Sequence, residues 1–393
     1  MQVIRGINFF FYLVLTFSLS ISSVKAQWDH EVGLELRYFF DKPQFSEQGE
    51  HAATVFYKPT WSTVSGDSVF DFSAVARFDE NDEERSLLDI SELSWLYTYE
   101  DWEFKAGISK VFWGVAETQR LVDVINQTDL ADDINGESKL GQPLVNVTKL
   151  TDYGIFEGYL LPYFRERTFP GEKGRLRTEP IVNGDLSEYE SDDEETHLDV
   201  ALRWSNTFNI FDFGVTYFNG TARDPVFSLS EDQQFLIPTY VQIEQVGLDM
   251  QATYDAWLFK LEAVDRQSSE VYQSQTYQAA IAGLEYTIFD LALSGADLGL
   301  VMEYSYDSRG EESFSDDLGF VGLRLALNDE QSSDLFIGCT ANGQLCTAEG
   351  SRRLGESMKV SLRANSFSGI ETESALASQS QDDFLQFSLS YFF

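Results

Sequence analysis

From Trp28 to the end, the chain alternates apolar and polar residues with a period of two. In Val32–Tyr38 the apolar residues Val32, Leu34, Leu36 and Tyr38 share one face, and Glu31, Gly33, Glu35 and Arg37 share the other. Successive side chains on a strand point to opposite sides, so the pattern predicts a strand with one apolar and one polar face. It returns in Phe70–Phe78, Trp102–Ser109, Leu198–Ser205 and Val321–Asn328. The composition says what covers the apolar faces. Aromatic residues make up 15% of the chain, with 32 Phe and 18 Tyr, yet mean hydropathy is −0.23. A large soluble core collects Leu, Ile and Val before Phe and Tyr. A barrel in lipid needs aromatic residues at both interfaces and a polar inner wall.

The connections alternate as well. Tyr99–Trp102, Thr151–Gly154, Ser205–Asn209, Tyr254–Trp257 and Leu354–Ser357 read as tight turns. Between them lie long polar stretches at 114–143, 165–196, 221–237, 307–317 and 369–382. Short turns at one end and long loops at the other predict a transmembrane antiparallel up-and-down β-barrel with periplasmic short turns. The count is about 18 strands, with 16 as the alternative. The least defined strands fall around 144–150 and 334–353. Mixed three- and four-residue spacing of Leu121, Val122, Val124, Ile125 and Leu130 predicts a short helix inside loop 114–143.

The N-terminus fits export. Arg5 precedes an apolar run from Ile7 to Leu19, and Val24-Lys25-Ala26 places small residues at a cleavage site. Residues 1–26 are therefore expected to be a signal peptide, and 27–393 a single outer-membrane barrel domain. An uncleaved membrane anchor is the alternative, disfavoured by the shortness of the run. No second stretch of about 18 apolar residues follows. With the first strand starting at Trp28, no plug domain is expected before it, which argues against an energy-coupled plugged transporter. The formal net charge is −38, and loss of Arg5 and Lys25 with an acid-free leader leaves −40. Such a balance argues against nucleic acid as a partner.

The final strand, Asp383–Phe393, sets Leu385, Phe387, Leu389, Tyr391 and Phe393 on one face. A terminal Phe there resembles the C-terminal signal of Gram-negative outer-membrane barrels, with Tyr391 and Phe393 as the assembly signal. The resemblance implies recognition by the barrel assembly machinery and contact with outer-membrane lipid and lipopolysaccharide. By size and pattern the chain is similar to porin-like barrels. That likeness implies passive diffusion of small hydrophilic solutes. Lys110–Val115 and Phe164–Gly171 look like family motifs, but neither identifies a substrate subfamily.

Charges on the inner face are the pore-lining candidates: Glu35, Arg37, Asp71, Arg77, Glu103, Lys105, Asp199, Arg203, Lys260, Glu262, Glu303, Arg324, Lys359 and Arg363, with Glu31 near the edge. Charges facing lipid would cost ~2–4 kcal/mol near the midplane, which forces them inward. They either set up a transverse field or form a solvated, salt-bridged wall. Loop 165–179 is locally basic, and Arg165, Arg167, Arg175 and Arg177 are candidates for a constriction if it folds inward. The overall acidity suggests cation preference, which a basic inward loop would oppose.

Catalytic signals are sparse. His30, His51 and His197 are the only histidines, none in a nucleophile motif, and no Gly-x-Ser-x-Gly elbow follows the leader. No Cys/His cluster suits zinc, and the Asp pairs lack EF-hand spacing. Neither a cofactor nor an enzyme is expected. A structural or adhesion barrel with partner-binding loops is the alternative to a channel, and a barrel-embedded enzyme the more distant one. Cys339 and Cys346 flank six residues and could pair in an oxidising compartment; two buried free thiols are the alternative.

Overall fold

A computed structural model describes residues 27–310, 313, 316–370 and 377–393. The expected signal peptide lies outside these residues, as do 371–376 of the last long loop. Eighteen antiparallel strands form one sheet. They are β1 Gln27–Phe39, β2 His51–Ser65, β3 Ser68–Asp79, β4 Leu87–Tyr99, β5 Trp102–Ser109 and β6 Gln142–Thr151. There follow β7 Gly154–Leu161, β8 Asp199–Phe208, β9 Phe211–Thr221, β10 Gln242–Tyr254, β11 Trp257–Ser268 and β12 Tyr277–Ile288. The circuit ends with β13 Asp297–Asp307, β14 Leu318–Ala326, β15 Asp334–Thr340, β16 Leu345–Leu354, β17 Met358–Phe367 and β18 Phe384–Phe392. Each strand pairs with its sequence neighbours, and β1 closes on β18 from Glu31↔Phe392 to Phe39↔Phe384. Closure satisfies every strand edge, which a sheet in lipid requires.

The start of β1 and Phe393 meet at the tight-turn side. There four of the five two-residue turns begin with a positive φ, at Gly66 (61°), Glu100 (53°), Asn209 (57°) and Asp255 (53°), while at Asp152–Tyr153 it falls on the following Gly154 (111°). Primed hairpin turns require that conformation to match strand twist. The turn expected at 205–209 sits later. Ser205 and Asn206 stay paired with Gly214 and Phe213, and the chain reverses at Asn209–Ile210. The polar run Ser205–Thr207 extends the strand and is not loop.

The outer wall is apolar, with Val32, Leu36, Val215, Leu248, Val321 and Leu362 all exposed. Six of the seven tryptophans (Trp28, Trp61, Trp95, Trp102, Trp204 and Trp257) occupy outward positions near the tight turns. Tyr38, Phe78, Tyr304 and Tyr306 are exposed toward the other end. This is the pair of aromatic belts that an interface rewards.

Loop 110–141 contains no helix, contrary to the expectation from its spacing. Its apolar residues anchor separately: Val122, Val124 and Ile125 are buried against the inner wall, not along one helical stripe. The backbone amides of Val115, Ala116, Glu117 and Thr118 go to wall carboxylates instead of to carbonyls of the loop. Over the long-loop end, strands Val226–Leu229 and Phe235–Tyr240 form a hairpin, joined in parallel by Ile181–Val182 and Glu188–Tyr189.

Candidate functional site: the barrel lumen

The inward positions of the wall carry its charge, and most of these charges are partnered. Glu35 meets Arg85 at 3.0 Å, and Arg37 donates to Gln386 at 2.7 and 2.9 Å. Asp71 accepts from Ser62, and Lys105 pairs with Glu92 at 3.0 Å. Asp199 lies between His197 (2.8 Å) and Arg223 (2.9 Å). Arg203 engages Asp249 through two nitrogens, and Lys260 pairs with Glu285. Glu103 sits between Thr98 and Thr148, and Lys359 between Arg353 and Ser390, both toward the tight turns.

The remaining candidates hold loop 110–141 across the lumen. Glu262 on β11 accepts from the amides of Val115 (2.6 Å) and Ala116 (2.8 Å), and more weakly from Val122. Glu303 on β13 accepts from the amides of Glu117 (2.7 Å) and Thr118 (2.8 Å) and from the Thr118 hydroxyl. Gly114 makes the approach feasible: its φ is +101°, and a Cβ there would stand 2.6 Å from Glu262 Oε1. The Glu117 side chain then reaches Arg324 on β14 at 2.5 Å. At the other side, Arg77 on β3 holds Asp129 and Asp132, each at 2.9 Å, and Arg363 on β17 holds Asp133. Burial acts to raise the Asp132 carboxyl, but Arg77 and Arg85 overcome it and hold the group below the usual carboxylate range. Asp123 differs. Burial raises it, and Lys139 and Arg120 only partly offset the shift.

Loop 162–198 runs across the long-loop mouth, and its four arginines all have partners. Arg165 forks onto Asp89 of β4, at 2.9 and 3.2 Å. Arg167 binds Asp224 at 2.6 Å, and Arg177 pairs with Glu179. Arg175 and Asp382 form a buried pair at 2.6 Å, with the guanidinium over Phe39. Beside it Leu176 packs with Phe39, Phe367 and Phe384. The loop thus reaches from β7 to the β1/β18 seam.

These two loops divide the lumen unequally. Along β6–β13, inward residues nearer the long loops are buried in an apolar cluster. Leu144, Tyr159, Ala201, Phe218, Ile243, Val264 and Ala279 pack with Trp113, Val122 and Ile125 of loop 110–141. Along β14–β18 and β1–β5, inward residues at mid-wall keep contact with water, among them Thr347, Ser361, Ser388 and Lys58. At Phe218 and Ile243 the alternation is inverted: both face inward while Asn219 and Glu244 face outward. On the tight-turn side, a cavity of about 670 Å³ opens between Trp113–Val115 and Arg203, Asp212 and Asp249. On the other, about 610 Å³ opens among Asp82, Glu166, Lys173 and Phe235.

No family model matches the sequence, and no curated protein matches it. Solved structures share its fold. OccK2 (OpdF) of Pseudomonas aeruginosa superposes with a TM-score of 0.56 at 9% identity, covering 94% of this chain and 97% of that one. The fold is that of an outer-membrane porin. A BenF-like porin from Pseudomonas fluorescens Pf-5 gives 0.53 at 9% identity over 94% and 98% of the two chains. OccAB3 of Acinetobacter baumannii gives 0.51 at 10% identity over 93% and 99%. At such identity the likeness concerns the fold alone.

Cys339 and Cys346 face each other across β15 and β16 and are joined by a disulfide, with Cα atoms 4.1 Å apart. The bridge closes the hairpin around 341–344.

Proposed function

We propose that this chain is an outer-membrane channel through which small hydrophilic solutes diffuse passively, with cations preferred at low salt. One observation carries the reading: a closed barrel, apolar outside, keeps half of its inner wall polar and wetted beside an inward-folded loop. Charged and hydroxylic side chains in that half replace part of a solute's hydration, as a pore must. The net charge of −38 concentrates cations at the mouths. Within this reading the tight turns are periplasmic, the long loops meet lipopolysaccharide, and the barrel assembly machinery inserts the chain through Tyr391 and Phe393. No catalytic step is assigned. Liposome swelling tests the proposal. Vesicles containing the folded protein should swell in isosmotic small neutral solutes, more slowly as solute size increases. Swelling no faster than in protein-free vesicles would contradict it.

A further inference from the structure

The wetted half of the lumen carries an aromatic surface that the fold does not require. Phe320 on β14 and Phe336 on β15 face inward, while their neighbours Val321, Leu335 and Ile337 are exposed on the lipid side. Between the two phenylalanines lies a glycine pair, Gly322↔Gly338. The rings converge over it, 6.3 Å apart and within 19° of parallel. A Cβ on Gly338 would stand 2.3 Å from Phe320 Cζ, and one on Gly322 would stand 3.1 Å from Phe336. Two glycines therefore seat two rings along the wall, and both rings retain partial exposure. Barrel stability does not call for this, since polar side chains would solvate the same inward positions better.

The surroundings restrict what such a shelf would hold. Arg324, Phe336, Glu349 and Arg363 form one row across β14–β17. The Arg324 guanidinium lies 5.6 Å from the Phe336 ring centroid and is paired with Glu117. Arg363 is paired with Glu349 at 3.2 Å and with Asp133. Each cation is thus already neutralised, so the row offers directional donors and acceptors with little net field. A fixed ion of either sign gains little from it. A neutral solute with an apolar flat side and a rim of hydroxyl groups matches both the rings and the paired charges.

Resting on the channel reading, we propose that Phe320 and Phe336 form a binding subsite for a neutral saccharide, the pyranose face lying on the rings and its hydroxyls meeting Arg324 and Glu349. Single-channel current in planar bilayers, with glucose, maltose or maltotriose added, tests this. Wild type should show reversible, concentration-dependent current interruptions. Benzoate or lysine at equal concentration should produce fewer. Phe336→Ala and Phe320→Ala should each weaken apparent sugar affinity about three- to tenfold, while Phe336→Tyr preserves it. The open-channel conductance and heat-modifiable migration of each variant report whether the barrel has assembled. A conducting wild type without sugar interruptions overturns the subsite alone, as do interruptions unchanged in both alanine variants or stronger with benzoate. A folded wild type that never conducts overturns the channel reading as well.

Discussion

Glu262 accepts the backbone N–H groups of Val115 and Ala116, at 2.6 and 2.8 Å, from a loop nearly 150 residues earlier in the chain. With Glu303 doing the same for Glu117 and Thr118, two wall carboxylates substitute for the hydrogen bonds that a helix would have supplied. Glu262→Ala should orphan these amides, at about 1–3 kcal/mol for each one that water does not reach. We expect a folded barrel with larger, noisier single-channel currents. Currents indistinguishable from wild type would mean that the loop does not limit the path.

Arg175→Gln should loosen the mouth. Asp382 is 1% exposed, and its charge would be left unpaired at a cost of about 3–5 kcal/mol. Limited proteolysis should then cut within residues 162–198 in intact cells or vesicles, where wild type resists. Equal resistance in the two proteins would count against the Arg175–Asp382 latch.

Acid should reach Asp123 before Asp132. Arg77 and Arg85 hold Asp132 below its ordinary value of 3.8, so its stabilising contribution is present above that pH and is lost only as pH falls through the lower folded-state value. Asp123 is shifted upward by burial, so it takes up its proton at a higher pH than Asp132 does. Conductance traces recorded from pH 7 downward should change in two stages. Asp123→Asn should remove the earlier one. An unchanged earlier stage in that variant contradicts the assignment.

Removal of Phe393 should impair barrel assembly more than removal of a loop residue. Its backbone exchanges two hydrogen bonds of 3.0 Å with His30, and its ring stacks on His30 at 5.1 Å, closing the seam between β1 and β18. Heat-modifiable barrel in membranes measures the effect, and equal amounts from both variants would refute it.

The sequence made the barrel legible because lipid forces a strict rule: each strand must show one apolar face, and every edge must be paired. Val32–Tyr38 and Val321–Ala326 follow it, and both lie in the wall as the alternation predicts, although Leu327 and Asn328 fall beyond the strand end. The interior obeys no such rule. Leu121–Leu130 carried helical spacing, yet Val122 and Ile125 pack on Ile243 and Val264 from remote strands. The four loop arginines were equally opaque. Asp89 and Asp382, which engage Arg165 and Arg175, lie 76 and 207 residues away. No local spacing announces such partners.

The most direct test of the central claim is single-channel recording of the refolded protein in planar bilayers, under a salt gradient. The account predicts discrete ohmic steps and a reversal potential favouring cations in dilute salt. That preference should shrink toward 1 M, where the Debye length falls to about 3 Å. A folded, heat-modifiable barrel that inserts without conductance would contradict it.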